Sequence, residues 1–176
     1  MGDEELAAPG DLERVRRFVN TRDLELETEA LGTPAELAAW LGVPAAGDAD
    51  LARALELREA LRELLLANAT GGDPPATALA ALAAAGGRAP LRVRPGAGGL
   101  ELVAADDGVD GALARLLAIV VLAQADGTWP RLKACPGDRC HWALYDRTRS
   151  RTRRWCSGVK CGARTRARAY RRRRSA

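Results

Sequence analysis

Apolar residues recur at helical spacing over much of the first 127 positions. Leu12, Val15, Phe18 and Val19 define a first helix, with Asp11 placed to cap it. Thr33-Pro34-Ala35-Glu36 is a capping box with proline at the first helical position, so a second helix should carry Leu37, Trp40 and Leu41 as far as Gly42. A third starts at Asp48 or Asp50 and follows the stripe Leu51, Leu55, Arg58, Leu61 and Leu65 towards Ala69, where Gly71-Gly72-Asp73-Pro74 ends it. An alanine-rich helix from about Pro75 to Ala85 stops at Gly86-Gly87. Leu91, Val93, Leu100 and Val103 then flank Pro95-Gly96-Ala97-Gly98-Gly99 as a β-hairpin. Asp110 caps a mostly apolar helix through Leu113, Leu116, Leu117, Val120 and Val121, and this domain ends near Gly127.

The remainder reads differently. All four cysteines lie there as two pairs, Cys135 with Cys140 and Cys156 with Cys161, with four residues inside each pair and 15 between them. Two short-spaced pairs bring two thiolates each to one tetrahedral ion, so this spacing points to a structural zinc site. Two disulfides, or four unliganded thiols, are the competing readings, and disulfides belong to secreted chains, whereas this N-terminus opens acidic with Asp3, Glu4 and Glu5. Four cysteines close the coordination shell, which argues against catalytic zinc. His141, the only histidine, follows Cys140 and reads as a surface or hairpin residue rather than a ligand. Trp142, Leu144 and Tyr145 after the first pair, with Trp155 before the second, predict a short hairpin packed over the metal, followed by a basic helix from Gly162.

Charge separates the same two regions. The formal total is +4, yet residues 131–176 carry a net +14, with Asp138 and Asp146 as their only acids, and the preceding residues carry −10. Of 27 basic residues 25 are arginine, in a chain also rich in alanine and glycine, so arginine over lysine carries little weight; the clustering carries it. Arg147, Arg149, Arg151, Arg153 and Arg154 alternate with Thr148, Ser150 and Thr152, and Arg164, Arg166, Arg168, Arg171 and Arg172 follow on the basic helix. Bidentate cations spaced by small hydroxyls suit a phosphate backbone, and these arginines are the candidate nucleic-acid contacts. Docking on an acidic protein, or on the acidic N-terminal half, would use the same charge.

The first 127 residues hold no cysteine, no histidine, no glycine-rich phosphate loop and no serine-nucleophile motif, so no catalytic base is visible and enzymatic activity is not expected. Asn20 and Thr21 follow the first helix in a polar break. They are candidates for binding a small-molecule effector, or for satisfying backbone groups at the helix end, the more frequent role of these residue types. With 176 residues and 47% hydrophobic content the chain supports one core and a small appended module. The longest apolar stretch, Ala112 to Ala125, is shorter than the roughly 20 residues a membrane span needs, so a soluble cytoplasmic protein is expected.

The run Cys135, Cys140-His141-Trp142, Asp146, Arg153-Arg154-Trp155-Cys156, Cys161-Gly162-Ala163-Arg164 and Tyr170-Arg171 resembles the signature of the CGNR zinc-finger proteins that carry an N-terminal ABATE domain. Phe18-Val19-Asn20-Thr21, followed by Leu37 and Trp40-Leu41, resembles that domain. The resemblance implies a bacterial, stress-linked transcription regulator and puts DNA ahead of RNA as the partner. It departs at one place, where Ala163 stands for the asparagine of Cys-Gly-Asn-Arg, while Arg164 and the four cysteines are kept.

The expected architecture is therefore α+β and mostly helical: residues 1–128 form a helical domain with a small β element, and residues 129–176 a four-cysteine zinc finger of knuckle, hairpin and basic helix. The expected function is zinc-dependent binding of nucleic acid, with an RNA- or ribosome-associated module and a protein-interaction adaptor as alternatives.

Overall fold

A computed structural model describes residues 3–88 and 90–174. Its α-helices are α1 (Leu12–Val19), α2 (Pro34–Leu41), α3 (Asp48–Thr70), α4 (Ala76–Arg88), α5 (Val109–Ala125) and α6 (Ala163–Arg174). Strands β1 (Arg22–Asp23) and β2 (Thr28–Glu29), β3 (Leu91–Gly96) and β4 (Gly99–Ala104), and β5 (Leu132–Ala134) and β6 (Ala143–Tyr145) form three two-stranded antiparallel sheets. Short 3-10 turns cover Asp3–Leu6 and Trp129–Arg131, and a π-turn covers Gly158–Gly162. None of the described helices is long and apolar enough to cross a membrane.

The fold is the α+β, mostly helical one that the sequence implies, with local differences. Thr33 caps α2 by accepting the Glu36 amide at 3.3 Å, while the Glu36 carboxylate reaches back to the Gly32 amide at 3.0 Å. Asp11 makes no side-chain cap to α1; Glu13 instead accepts the Ala8 amide at 2.7 Å and the Arg16 guanidinium at 2.8 Å. The cap of α5 is Gly108 rather than Asp110, which turns to Arg53 at 3.3 Å. Helix α4 runs through Gly86-Gly87 to Arg88 instead of ending at Ala85. Glycine costs about 1 kcal/mol in a helix interior, and α4 offsets this by packing along α3 and α5.

Leu12, Val15, Phe18, Leu31, Leu37, Leu57, Leu61, Leu65, Leu113 and Leu116 fill the principal core between α1, α2, α3 and α5. That core does not stop at residue 128. Trp129, Leu132, Ala134, Ala143 and Tyr145 belong to it, so one face of the β5–β6 hairpin packs on the helices. The pairs Leu132–Tyr145 and Ala134–Ala143 supply that face, and the intervening pair Lys133–Leu144 points the other way. All six strand residues are buried. The hairpin is thus a wall shared between the helical core and the cysteine region.

Candidate metal centre and basic surface

The hairpin turn between β5 and β6 holds the first cysteine pair. The Cys135 amide donates to the Trp142 carbonyl at 3.0 Å and the Cys140 amide to the Gly137 carbonyl at 2.8 Å, closing a knuckle. Gly137 lies close against the cluster: a Cβ there would touch Cys140 Cβ at 3.4 Å and Cys135 Sγ and Cys161 Cβ at 3.6 Å. Of the second pair, Cys161 lies in the π-turn, which Ser157 opens by accepting the Lys160 amide at 3.1 Å, and Cys156 directly precedes Ser157. The hairpin differs from expectation. Residues 143–145 pair with 132–134, before the first cysteine pair, and not with the segment ahead of Cys156.

All four Sγ atoms lie within 4.8 Å of one another, with Cys140–Cys156 at 3.4 Å and Cys156–Cys161 at 3.5 Å. No disulfide joins them. Tetrahedral thiolate ligation with bonds of about 2.3 Å puts sulfurs roughly 3.8 Å apart, so the set fits a four-coordinate thiophilic ion. His141 is not in the group; its backbone sits at φ 48° and its carbonyl accepts Arg62 at 3.1 Å. Hydrogen bonds from the Cys140 and Cys156 thiols hold the Cys135 thiol far below its ordinary range. The contact with Cys135 in turn pushes Cys140 up, and pushes Cys156 up to about 12. A bound cation favours the thiolate form of its cysteine ligands. Leu6, Leu144, Trp142 and Trp155 pack around the sulfurs, so the N-terminal turn is part of this small core.

The far face of the hairpin carries a buried ion pair that the sequence reading missed. Lys133 Nζ donates to Asp146 Oδ2 at 2.8 Å and to the carbonyls of Arg151 and Arg153 at 2.8 and 3.0 Å. Asp146 also accepts the Arg153 amide at 2.9 Å, the Thr148 amide at 3.0 Å and the Thr148 hydroxyl at 2.6 Å. Burial disfavours the Asp146 carboxylate, but Lys133 and Thr148 outweigh it and hold its pKa below the ordinary value. Through these bonds the pair fixes the backbone of the arginine-rich segment from Asp146 to Arg153. The available signal was Asp146 itself, a lone acid at the head of that run.

The candidate arginines divide by what they meet. Arg149, Arg151 and Arg154 are exposed and have no side-chain partner among the described residues. Arg147 donates to the Ala7 carbonyl at 3.1 Å and lies over Tyr145. Arg153 turns inward, mostly buried, to Glu5 at 3.2 Å and to the Trp155 and Cys156 carbonyls. Arg164 pairs with Glu25 at 2.8 Å and donates to Cys161 Sγ at 3.4 Å. Arg166 reaches the Gly158 carbonyl at 3.4 Å, and Arg168 pairs with Asp138. Arg171 is exposed on α6, and the Arg172 side chain lies outside the described residues.

Asn20 and Thr21 are both engaged inside the molecule. The Asn20 amide donates to the Ala143 carbonyl at 2.9 Å and accepts the Ala143 amide at 2.7 Å, extending the hairpin ladder by one side chain. Thr21 donates to the Phe18 carbonyl at 2.7 Å and accepts Arg58 at 3.1 Å. Asn68 adds bonds to the Trp129 and Leu132 carbonyls at 3.1 and 2.9 Å. Helices α1 and α3 therefore hold the hairpin by its backbone.

Fold and site together define a helical domain joined to a four-cysteine finger with a metal-binding geometry. The family model ABATE, described as "Putative stress-induced transcription regulator", matches residues 12–128, and the CGNR zinc finger model matches residues 131–174. The chain belongs to the ABATE family and carries a CGNR zinc finger at its C-terminal end. No curated protein compared with the chain matches it.

Proposed function

We propose that the chain is a zinc-loaded regulator that binds DNA through the arginine segment beside the metal centre. The carrying observation is that Arg149, Arg151 and Arg154 are exposed on a segment whose backbone is fixed by the buried Lys133–Asp146 pair. A fixed backbone lowers the ordering cost of docking on phosphates, because flexible arginine arms lose more freedom on binding. Zinc is the ion that four thiolates in a tetrahedron favour, and four cysteines leave no open ligand position, which supports a structural metal and a binding protein rather than a catalyst. The ion would supply folding energy to the finger, on the order of 10 kcal/mol for small zinc modules. Duplex DNA is preferred to RNA on the family's description as a transcription regulator. Asn20 and Thr21 have internal partners, so the proposal places no effector on them.

The test is competition between random duplex DNA and structured RNA for the zinc-loaded protein across a salt series, beside a chelator-treated control. Zinc-dependent, DNA-preferring binding supports the reading. Preference for RNA would move it to an RNA-associated module, and no binding at moderate salt would move it to a protein-interaction adaptor.

A further inference from the structure

The β3–β4 hairpin presents its apolar face to solvent. In an antiparallel pair, residues directly opposite one another share a face. The register Leu91–Ala104, Val93–Leu102 and Pro95–Leu100 therefore collects six apolar residues on one side, and Arg92–Val103 and Arg94–Glu101 take the other. The usual arrangement would turn the apolar side inward. Here Leu100 is 78%, Val93 64%, Leu102 42% and Leu91 36% exposed, and of the six only Ala104 at the strand end is partly covered; on the other side Gly96, Glu101 and Val103 are partly covered and Arg92 and Arg94 are exposed. The base of the hairpin is held against α5: a Cβ on Gly111 would lie 1.8 Å from the Asp106 carbonyl oxygen and 3.3 Å from Ala104 Cβ, so helix and strand end meet without space between them. The face is a fixed feature of the fold and projects beyond the core.

We infer that this face joins two copies of the chain in a weak, two-fold symmetric dimer. The four side chains leave on the order of 400 Å² of apolar surface open, the size at which a patch on a monomer is often functional. Packed on its own equivalent, with the rim added, such a face buries about 1,000 Å² in total, the lower bound for a specific interface and the range of transient association. The chemistry selects a second copy over a charged partner. None of the six residues carries a polar side chain to orient a different surface, so the face is complementary to itself. Within residues 88–110, Arg88, Arg92 and Arg94 offset all but one of the charges of Glu101, Asp106, Asp107 and Asp110, so two copies meet without the repulsion that a −10 or +14 surface would bring. For the DNA-binding reading proposed above, on which the functional use of the dimer rests, pairing sets two fingers on one duplex and makes weak association sufficient, because the second finger binds at high effective concentration.

The test is sedimentation equilibrium of the zinc-loaded full chain without nucleic acid, from about 1 to 500 µM, around a dissociation constant expected on the order of 10–100 µM for so small an interface. The expected result is a monomer–dimer equilibrium, abolished by Val93→Asp with Leu100→Asp, two positions exposed in the monomer, with circular dichroism and zinc content unchanged. Leu100→Asn, milder at the same site, weakens the dimer at least tenfold if the double variant misfolds. A chain that stays monomeric throughout overturns the inference, as does a dimer indifferent to these substitutions. Flotation with vesicles of phosphatidylcholine containing one third phosphatidylglycerol is the counter-measurement: lipid binding by a monomer, lost in the variants, assigns the face to a membrane surface instead. Because nucleic acid is left out, failure here leaves the DNA reading standing, and failure of DNA binding leaves the dimer measurement intact.

Discussion

Arginine does opposite work in the two halves of this protein. In the helical half Arg16, Arg58 and Arg62 are almost completely buried. Each is satisfied by carboxylates or carbonyls: Arg58 grips Glu29 with bonds of 2.7 and 2.8 Å, and Arg62 holds the Val19 and His141 carbonyls at 2.8 and 3.1 Å together with Glu59. Burial disfavours the Glu29 and Glu59 carboxylates, yet the arginine hydrogen bonds prevail and hold both below the ordinary carboxylate range. In the finger the buried cation is Lys133, and it fixes a segment that turns Arg149, Arg151 and Arg154 to solvent. Composition cannot distinguish the two uses; the availability of nearby acid does.

The largest effect that separates the regions is loss of the metal. Cys161→Ser should abolish tight zinc binding, whose folding contribution is about 10 kcal/mol in small zinc modules. Hydrogen exchange should accelerate across residues 147–174, while 132–134 and 143–145 stay protected, because Asn20, Asn68 and the helical core hold them independently of the cysteines. Full exchange in β5 and β6 would show that the shared wall belongs to the finger alone. Unchanged zinc stoichiometry would reject the ligand assignment.

Next in size is the buried arginine of the helical half. Arg58→Met leaves Glu29 without its partner and should destabilise by about 3 kcal/mol, the lower end for a broken buried pair because Glu29 keeps access to water. Urea unfolding measures it. The matching substitution in the finger, Arg149→Ala, should stay within about 0.5 kcal/mol. Equal effects would erase the distinction drawn between the halves.

Asp146 sharpens the comparison from the other side. Asp146→Asn should destabilise by about 3 kcal/mol and expose the 147–154 segment to trypsin. The pH dependence has a definite sign. Its carboxyl pKa is depressed in the folded state, so its contribution is complete above the unfolded carboxylate range near pH 4 and is lost as pH falls through the lower folded value. Thermal unfolding of wild type and Asp146→Asn should therefore converge at acid pH; a constant gap would deny the carboxylate this role. The smallest effect is at the surface: Glu27→Gln, which breaks an exposed pair with Arg139, should change stability by less than about 1 kcal/mol.

Much of this was legible in the sequence, for identifiable reasons. Four thiolates on one ion leave few geometries, so Cys135, Cys140, Cys156 and Cys161 were readable from spacing, and the Thr33 capping box from its own four residues. Signals that depend on distant partners were not. Arg58 stood in the stripe of α3, but its partner Glu29 lies in another element. Asn20 was singled out for its place after α1, whereas its bonds reach across 123 positions to Ala143. The partner of β6 was misassigned because β5, Leu132–Ala134, is too short to stand out as a strand, and the charge of Lys133 in its middle is met by Asp146 in another part of the chain.

The central claim is that the exposed arginines of the fixed segment meet phosphates, and the salt dependence of DNA binding tests it most directly. Zinc-loaded wild type and the Arg149→Ala, Arg151→Ala, Arg154→Ala triple variant should be titrated with one random duplex at several salt concentrations. Each lost phosphate contact lowers the slope of log affinity against log salt by about 0.9, so the variant should bind more weakly with a slope smaller by about 2 to 3. A variant with the wild-type slope and unchanged zinc content would contradict the account.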